Sequence, residues 1–275
     1  MPHVISVMTD FLLNGARLHV AAPTGDGDPM ILVHGGWTDH RTWSMLVPLL
    51  AQRNRVISYD RRGHSLSDYG PGPSPRRRDE DDLAALIDEL GAARVHLVGS
   101  SYGASIALGL AGRRPELVRS VVAHEPPLTG LCPQPAVEAQ FASVQDQIEA
   151  GDVEGGTRRF FEEVILGPGG WELVPEHVRE ASIANAQTFV DLREDPFASE
   201  LDVEAVQRFS GPITITRGEI SPAWLQETAA ATAEHLRRPL RVISGAGHSP
   251  HLTTPQTFAA AIAEAVDGPP LHAAA

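Results

Sequence analysis

Apolar residues in this chain fall into short strand-length runs, and what separates the runs divides the sequence into three parts. Over residues 4–22 two such runs flank Asn14-Gly15. That dipeptide accepts the positive φ angles of a tight turn, so the pattern predicts an antiparallel hairpin. From Met30 onward, strand-like runs at 30–34, 55–59, 94–99 and 118–123 alternate with helix-length stretches. Such alternation predicts parallel strands joined by crossover helices. In the helix expected after Asp79, the residues Leu83, Leu86, Ile87 and Leu90 recur at i, i+3, i+4 and i+7, with Gly91 placed to end it. One face of that helix is therefore buried. The segment after Ser101 is apolar almost all round (Ile106, Ala107, Leu108, Leu110) and predicts a helix packed deep against the sheet, ended near Gly112 and Pro115.

Between Pro126 and about Glu200 the alternation stops, and helix-like segments carry Phe141, Phe160, Phe161, Trp171 and Phe189. Alternation resumes with a strand at 213–216, a helix near 222–236, a strand near 239–244 and a last helix at about 255–266. The expected organisation is an α/β core made of residues 1–127 and 201–268, a helical cap inserted at 128–200, and a flexible tail at 269–275.

Composition narrows the function classes. A chain of 275 residues with 42% hydrophobic content can bury a large core. Its formal charge of -13 argues against a nucleic-acid or anionic-membrane surface. The one basic run, Arg76-Arg77-Arg78, is followed by Asp79-Glu80-Asp81-Asp82, which reads as the solvated start of a helix. Cys132 is the single cysteine, so no intrachain disulfide or thiolate metal site is expected. The first thirty residues lack the features of a signal peptide, and no apolar run approaches the roughly 18 residues of a membrane helix. A soluble cytoplasmic protein is the expectation; oligomeric state is not legible.

The chemistry centres on Gly99-Ser100-Ser101-Tyr102-Gly103, which stands between a predicted strand and a predicted helix. In that context a serine is presented on a tight turn as a nucleophile. A serine hydroxyl needs a base. His248, in the loop Gly245-Ala246-Gly247-His248 after the last strand, falls at the same carboxyl edge of the sheet as the serine turn. His251, three residues on, is expected to support the loop. The imidazole in turn needs a carboxylate. Glu125, 24 residues after Ser101, and Glu219 both end strands at that edge, whereas Asp191 and Asp195 belong to the cap. Donors for an oxyanion are expected from the amide of Tyr102 and from the loop His34-Gly35-Gly36-Trp37, where glycine at 36 permits close backbone approach. His248-x-x-His251 lacks a third ligand and contains Pro250, so no metal site is expected, and no dinucleotide or phosphate-loop motif occurs.

Four motifs in order, His34-Gly35-Gly36 with Trp43 downstream, Tyr59-Asp60-Arg61-Arg62-Gly63-His64-Ser65, the Ser101 pentapeptide and Gly247-His248, resemble the α/β-hydrolase superfamily over nearly the whole chain outside the cap. The resemblance implies a mostly parallel eight-stranded sheet flanked by helices, nucleophile Ser101, base His248 and oxyanion donors at Gly36 and Tyr102. It also implies that residues 60–65 are structural, so His64 stays outside the triad. Where many members carry an aspartate acid after the seventh strand, this chain has Ser221. Members lacking that aspartate place the acid after the sixth strand, where Glu125 stands, an arrangement similar to Ser-Glu-His lactonases and haloalkane dehalogenases. The dehalogenases use an aspartate nucleophile, so Ser101 argues against their chemistry and that of the related epoxide hydrolases.

The sequence thus points to a cofactor-independent serine hydrolase of a small-molecule ester or lactone. Glu125 is the expected acid and Glu219 the alternative. Trp37 and Trp171, with the phenylalanines of the cap, suggest a pocket for an apolar substrate, though they equally suit the cap's own core. The same triad could instead serve a carbon-carbon bond hydrolase or lyase. A non-catalytic binding protein would need none of the three motifs together.

Overall fold

The structure is a computed structural model and describes residues 9–72 and 75–267. Strands β1 (Thr9–Leu13) and β2 (Ala16–Val20) pair antiparallel. Asn14 and Gly15 join them at φ 47° and 78°, the two positive angles that fit the turn to the strand twist. The hairpin's expected start at residues 4–8 and the tail expected at 269–275 lie outside the described residues.

Strands β3 (Asp28–Val33), β4 (Asn54–Ser58), β5 (Val95–Ser100), β6 (Val118–His124), β7 (Ile213–Gly218) and β8 (Leu240–Ile243) form one parallel sheet in the order β4-β3-β5-β6-β7-β8. Among the described residues, the expected eight-stranded sheet is corrected to six strands plus a separate two-stranded hairpin. Among the described residues, two isolated antiparallel bridges, Val20–Tyr59 and Thr24–Val56, join the end of the hairpin and the chain after it to β4 and the residue that follows it. Beyond them the chain turns away at Gly25 and Gly27, whose φ values are 82° and 119°. A Cβ at Gly25 would stand 2.3 Å from the Ala51 carbonyl, so the bend is confined to glycine.

Alternate residues of each central strand serve opposite faces. Ile31, Val33, Val95 and Leu97 pack with helices α2 (Arg76–Glu89) and α3 (Tyr102–Arg113), while Met30, Leu32 and Val98 pack on the other side. There they meet Leu50 of the short helix α1 (Val47–Leu50), together with Trp43, and later Phe258 and Ile262. Burial on both faces explains why these strands read as unbroken apolar runs. Helix α3 is buried from Tyr102 to Ala111, as its all-round apolar sequence requires.

The start of α2 departs from expectation. It is buried rather than solvated, because each of three carboxylates meets an arginine. Asp79 accepts from Arg61 at 2.9 Å and Asp82 from Arg62 at 2.7 and 2.8 Å; Glu80 accepts from Arg76 at 3.1 Å and Arg113 at 2.8 Å. Only Asp81 of the acidic run is exposed. Glu80 fits because Gly109 of α3 has no side chain: a Cβ there would fall 2.0 Å from Glu80 Oε1.

Between β6 and β7 lies a helical insertion of α4 (Pro135–Glu149), α5 (Val153–Phe160), a π-helical turn (Phe161–Leu166), α6 (Glu176–Ala184) and α7 (Ala186–Glu194), and then α8 (Val203–Arg208) leads back to the sheet. The insertion's core, with Val144, Phe160, Val164, Phe189 and Val190, is separate from those of the sheet. Trp37, from the loop after β3, belongs to it. The sheet is completed by α9 (Ala223–Leu236) after β7, and by α10 (Pro250–Thr253) and α11 (Pro255–Asp267) after β8. Among the described residues no helix is long and apolar enough to cross a membrane.

Candidate active site

Ser101 stands between β5 and α3 at φ 53° and ψ -126°, a strained conformation for a residue with a side chain. Its neighbours explain how the strain is held. A Cβ at Gly103 would be 2.1 Å from the Val33 carbonyl oxygen, and one at Gly99 would be 2.4 Å from the Gly103 carbonyl. Strand and helix can therefore close around the serine only with glycine at both places. The Ser101 N–H donates to the His124 carbonyl at 2.8 Å, tying the turn to the end of β6.

The residue after His124 is Glu125, at φ 45°. This backbone sends its carboxylate across the sheet edge to two donors: Gly218 N–H at 2.7 Å on Oε1 and His248 Nδ1 at 2.6 Å on Oε2. Burial alone would raise the Glu125 pKa, but the hydrogen bond from His248 and the nearby His124 and His248 rings outweigh it and lower the value to about 2. The carboxylate is thus charged at neutral pH. It fixes the His248 proton on Nδ1, leaving Nε2 as an acceptor. Glu219, the alternative acid, is exposed and accepts instead from Ser244 Oγ at 3.0 Å and Gly245 N–H at 2.7 Å. His251 is buried, hydrogen-bonded through Nε2 to Thr42 Oγ1 at 2.9 Å, and packed against Trp43. Burial lowers its pKa to about 3.

At the same edge, on the side of the serine away from β6, runs the loop 34–37 that follows β3. Gly35 lies against the serine, where an added Cβ would be 3.1 Å from Ser101 Cβ. At Gly36, by contrast, a Cβ would meet nothing within 4 Å, so the tight protein contact belongs to Gly35 and the space beside Gly36 is open. Trp37 then turns the chain at φ 67°, with Thr38 N–H donating to the Gly36 carbonyl at 2.8 Å. Tyr102 is the first residue of α3, so its N–H has no carbonyl one turn back to bond within the helix.

Ser101, His248, Gly36 and Tyr102 open onto one cavity of about 730 Å³ between the sheet edge and the insertion. Its walls are largely apolar, with Phe141, Phe160, Phe161, Ile165, Phe189 and Trp224 among them. Trp37 lines it while stacking on Phe189 and packing at a tilt against Phe160, each at 4.8 Å between ring centroids. Trp171 does not line it. That side chain is buried against Phe161 and under the Arg179 guanidinium, which makes it part of the insertion's packing and corrects its expected place in the pocket.

The spacing of His124, Glu125 and His248 would also suit a cation, as would that of Asp39, His40 and Asp60. In both groups the carboxylates are committed to hydrogen bonds, Asp60 to His40 and the Leu66 N–H and Glu125 as above. The role of residues 60–65 as a scaffold follows from those bonds. His64 is buried and hydrogen-bonded at both nitrogens, with Nδ1 to the Arg62 carbonyl and Nε2 to Arg61.

The alpha/beta hydrolase family model matches residues 30–261, a span that runs from β3 through the Ser101 turn and His248 into α11. The chain belongs to the alpha/beta hydrolase family. This hydrolase is 30% identical over 259 residues to a 2-(acetamidomethylene)succinate hydrolase of Mesorhizobium japonicum, covering 88% of the one chain and 89% of the other. Its fold is similar to that of an enol-lactonase from Burkholderia xenovorans, with a TM-score of 0.79 at 17% identity over 94% of this chain and 100% of that one. It is likewise similar to a carboxylesterase from Bacillus subtilis, with a TM-score of 0.81 at 18% identity over 97% and 93% of the two chains.

Two residues at the site were not among those expected there: Asn185 carried no sequence signal, and Arg61 stood in the 59–65 motif only as part of a structural segment. Asn185, buried between α6 and α7, donates from Nδ2 to the Trp37 and Thr38 carbonyls at 3.1 and 3.2 Å, and its Oδ1 accepts the Ser65 N–H at 2.8 Å. It pins the insertion to the loop beside the serine. Arg61 lines the cavity while paired to Asp79. Both links join positions far apart in the chain, beyond the reach of periodicity.

Proposed function

We propose that this hydrolase cleaves a carboxylic ester or lactone through an acyl-enzyme on Ser101. The observation that carries the reading is the 2.6 Å contact between His248 Nδ1 and a charged Glu125, in the cavity that also holds a serine on a strained turn. His248 Nε2 takes the hydroxyl proton as Ser101 Oγ attacks the carbonyl carbon, and Glu125 stabilises the imidazolium that forms. The Gly36 and Tyr102 amides receive the negative oxygen. His248 then gives its proton to the leaving oxygen and the ester bond breaks. Water, activated by the same ring, attacks the acyl-serine and releases the acid. The apolar walls support a substrate whose acyl or leaving part is apolar and large enough to occupy the cavity. The enol-lactonase and carboxylesterase likenesses support this class by analogy of fold.

Labelling by a fluorophosphonate, followed by mass spectrometry of the adduct, tests the nucleophile. Wild type is expected to label at Ser101 and Ser101→Ala to lose the label; equal labelling of the two would remove Ser101 from the role. A labelled enzyme that turns over no activated ester would shift the reading to carbon-carbon bond cleavage by the same residues.

A further inference from the structure

Gly35 and Gly36 share one peptide unit, so whatever holds the Gly35 carbonyl also aims the Gly36 N–H. Two donors hold it: His34 Nδ1 at 2.8 Å and Arg61 Nη2 at 3.1 Å. His34 donates from Nδ1 because its Nε2 accepts the Arg61 backbone N–H at 2.9 Å. Burial, aided by the Arg61 charge, lowers the His34 pKa to about 3, so the ring is neutral with a single proton to give. The Arg61 guanidinium is held on its other sides as well. Nη1 donates to Asp79 Oδ2 and Nη2 to His64 Nε2, both at 2.9 Å, and the guanidinium carbon stands 5.1 Å from the centre of the Tyr102 ring. One buried cation therefore touches the Gly35–Gly36 peptide, through its carbonyl, and stands over the Tyr102 ring.

We infer that Arg61, braced by Asp79, is a positioning residue for the oxyanion: it fixes and polarises the Gly35–Gly36 peptide so that the Gly36 N–H is a better aimed and stronger donor. The inference rests on the serine-hydrolase reading. Drawing electron density toward the Gly35 oxygen makes the amide proton on the far side of the same peptide more positive, and hydrogen bonds in series strengthen one another. The gain falls on the transition state, because the oxygen carries full negative charge only after Ser101 has attacked. His34 alone would keep the carbonyl in place; the cation adds the polarisation.

The test compares Arg61→Lys and the double variant Arg61→Met/Asp79→Asn with wild type. Readouts are p-nitrophenyl ester turnover and inhibition by a trifluoromethyl ketone, which forms a tetrahedral oxyanion adduct with serine. The double variant removes both charges and strands neither in the buried site. It is expected to melt cooperatively and to lose about 10- to 100-fold in kcat, with KM within about threefold. The Ki of the ketone should rise by the factor that kcat/KM falls. Arg61→Lys keeps a cation for Asp79 and a donor, and should recover part of the loss while its Ki still tracks its kcat/KM. Wild-type Ki in both variants, or a folded double variant with kcat within about threefold of wild type, would overturn the positioning role and leave the nucleophile intact. Failure of wild type to label at Ser101 with the fluorophosphonate would overturn both.

Discussion

A carboxyl group withdrawn from solvent ordinarily resists ionisation. Glu125 has no exposed surface, yet its pKa is lowered to about 2, because both oxygens are met by donors and one of them is the His248 ring. Replacing it with glutamine keeps the volume and the contact with Gly218, but puts an amide where Nδ1–H needs an acceptor. Glu125→Gln is therefore expected to lower kcat on an activated ester by about 10³- to 10⁴-fold with a well-folded protein. Glu219→Gln, at an exposed loop carboxylate, should stay within about threefold of wild type. Turnover of the two variants side by side checks the assignment, and a larger loss at 219 would reverse it. Its place at the end of a strand put Glu125 at one edge with the serine and the histidine but did not separate it from Glu219; the resemblance did that, through Ser221 at the position where many members carry the acid. Arg61 offered no such clue. Its partners Asp79 and Gly35 are brought to it by the packing of a loop against a helix start, which composition and period do not record.

At the scale of elements, the hydrophobic pattern was a good guide because the core itself is built on it. The run expected at 118–123 is β6 (Val118–His124), and the last helix expected at 255–266 is Pro255–Asp267. Charge was a poorer guide. The Asp79-to-Asp82 run looks like a solvated helix start in one dimension, and only folding brings Arg61, Arg62 and Arg113 to it beside the neighbouring Arg76. The glycines around the serine separate tightness from openness. Gly103→Ala forces a methyl into the Val33 carbonyl and should cost about 3 kcal/mol or more, enough to lower the melting temperature by several degrees or prevent folding. Gly36→Ala, with open space around it, should leave the melting temperature within about one degree of wild type. Thermal melts of the pair decide this, and equal destabilisation would show that the loop is as crowded as the elbow.

For the whole molecule, the buried histidines set the response to acid. His34, His64, His124 and His251 all have lowered pKa values, with burial as the leading cause: about 3 for His34 and His251, about 4 for His124, and well below the ordinary value for His64. An unfolded chain protonates these rings below about pH 6.5 while the fold refuses the proton, so stability falls as pH drops from 7 toward 4. The limiting slope is about 1.4 kcal/mol per pH unit for each ring. Asp79 acts in the opposite sense. Burial raises its pKa from 3.8 to about 6, so between those values the folded state holds the extra proton and is favoured by acid. Glu125 adds to the acid sensitivity only below its unfolded pKa. Glu80, whose pKa burial also raises, acts with Asp79; four rings outweigh two carboxyls, and the melting temperature in about 0.15 M salt is expected to fall steadily between pH 7 and pH 5. Calorimetry over that range is the check; a melting temperature that holds or rises below pH 6.5 would contradict it.

The indole of Trp224, in α9, donates to the Val164 carbonyl inside the π-helical turn at 3.1 Å and meets Phe141 edge-on. Trp37 is stacked within the insertion's aromatic cluster and Trp171 is buried in the insertion itself, which leaves Trp43 alone among the four tryptophans in the core beneath the sheet. The intrinsic ultraviolet emission of this protein is therefore, in the main, a reporter of the roof over the cavity. A ligand that enters and shifts the roof would change its colour and polarisation with no dye attached.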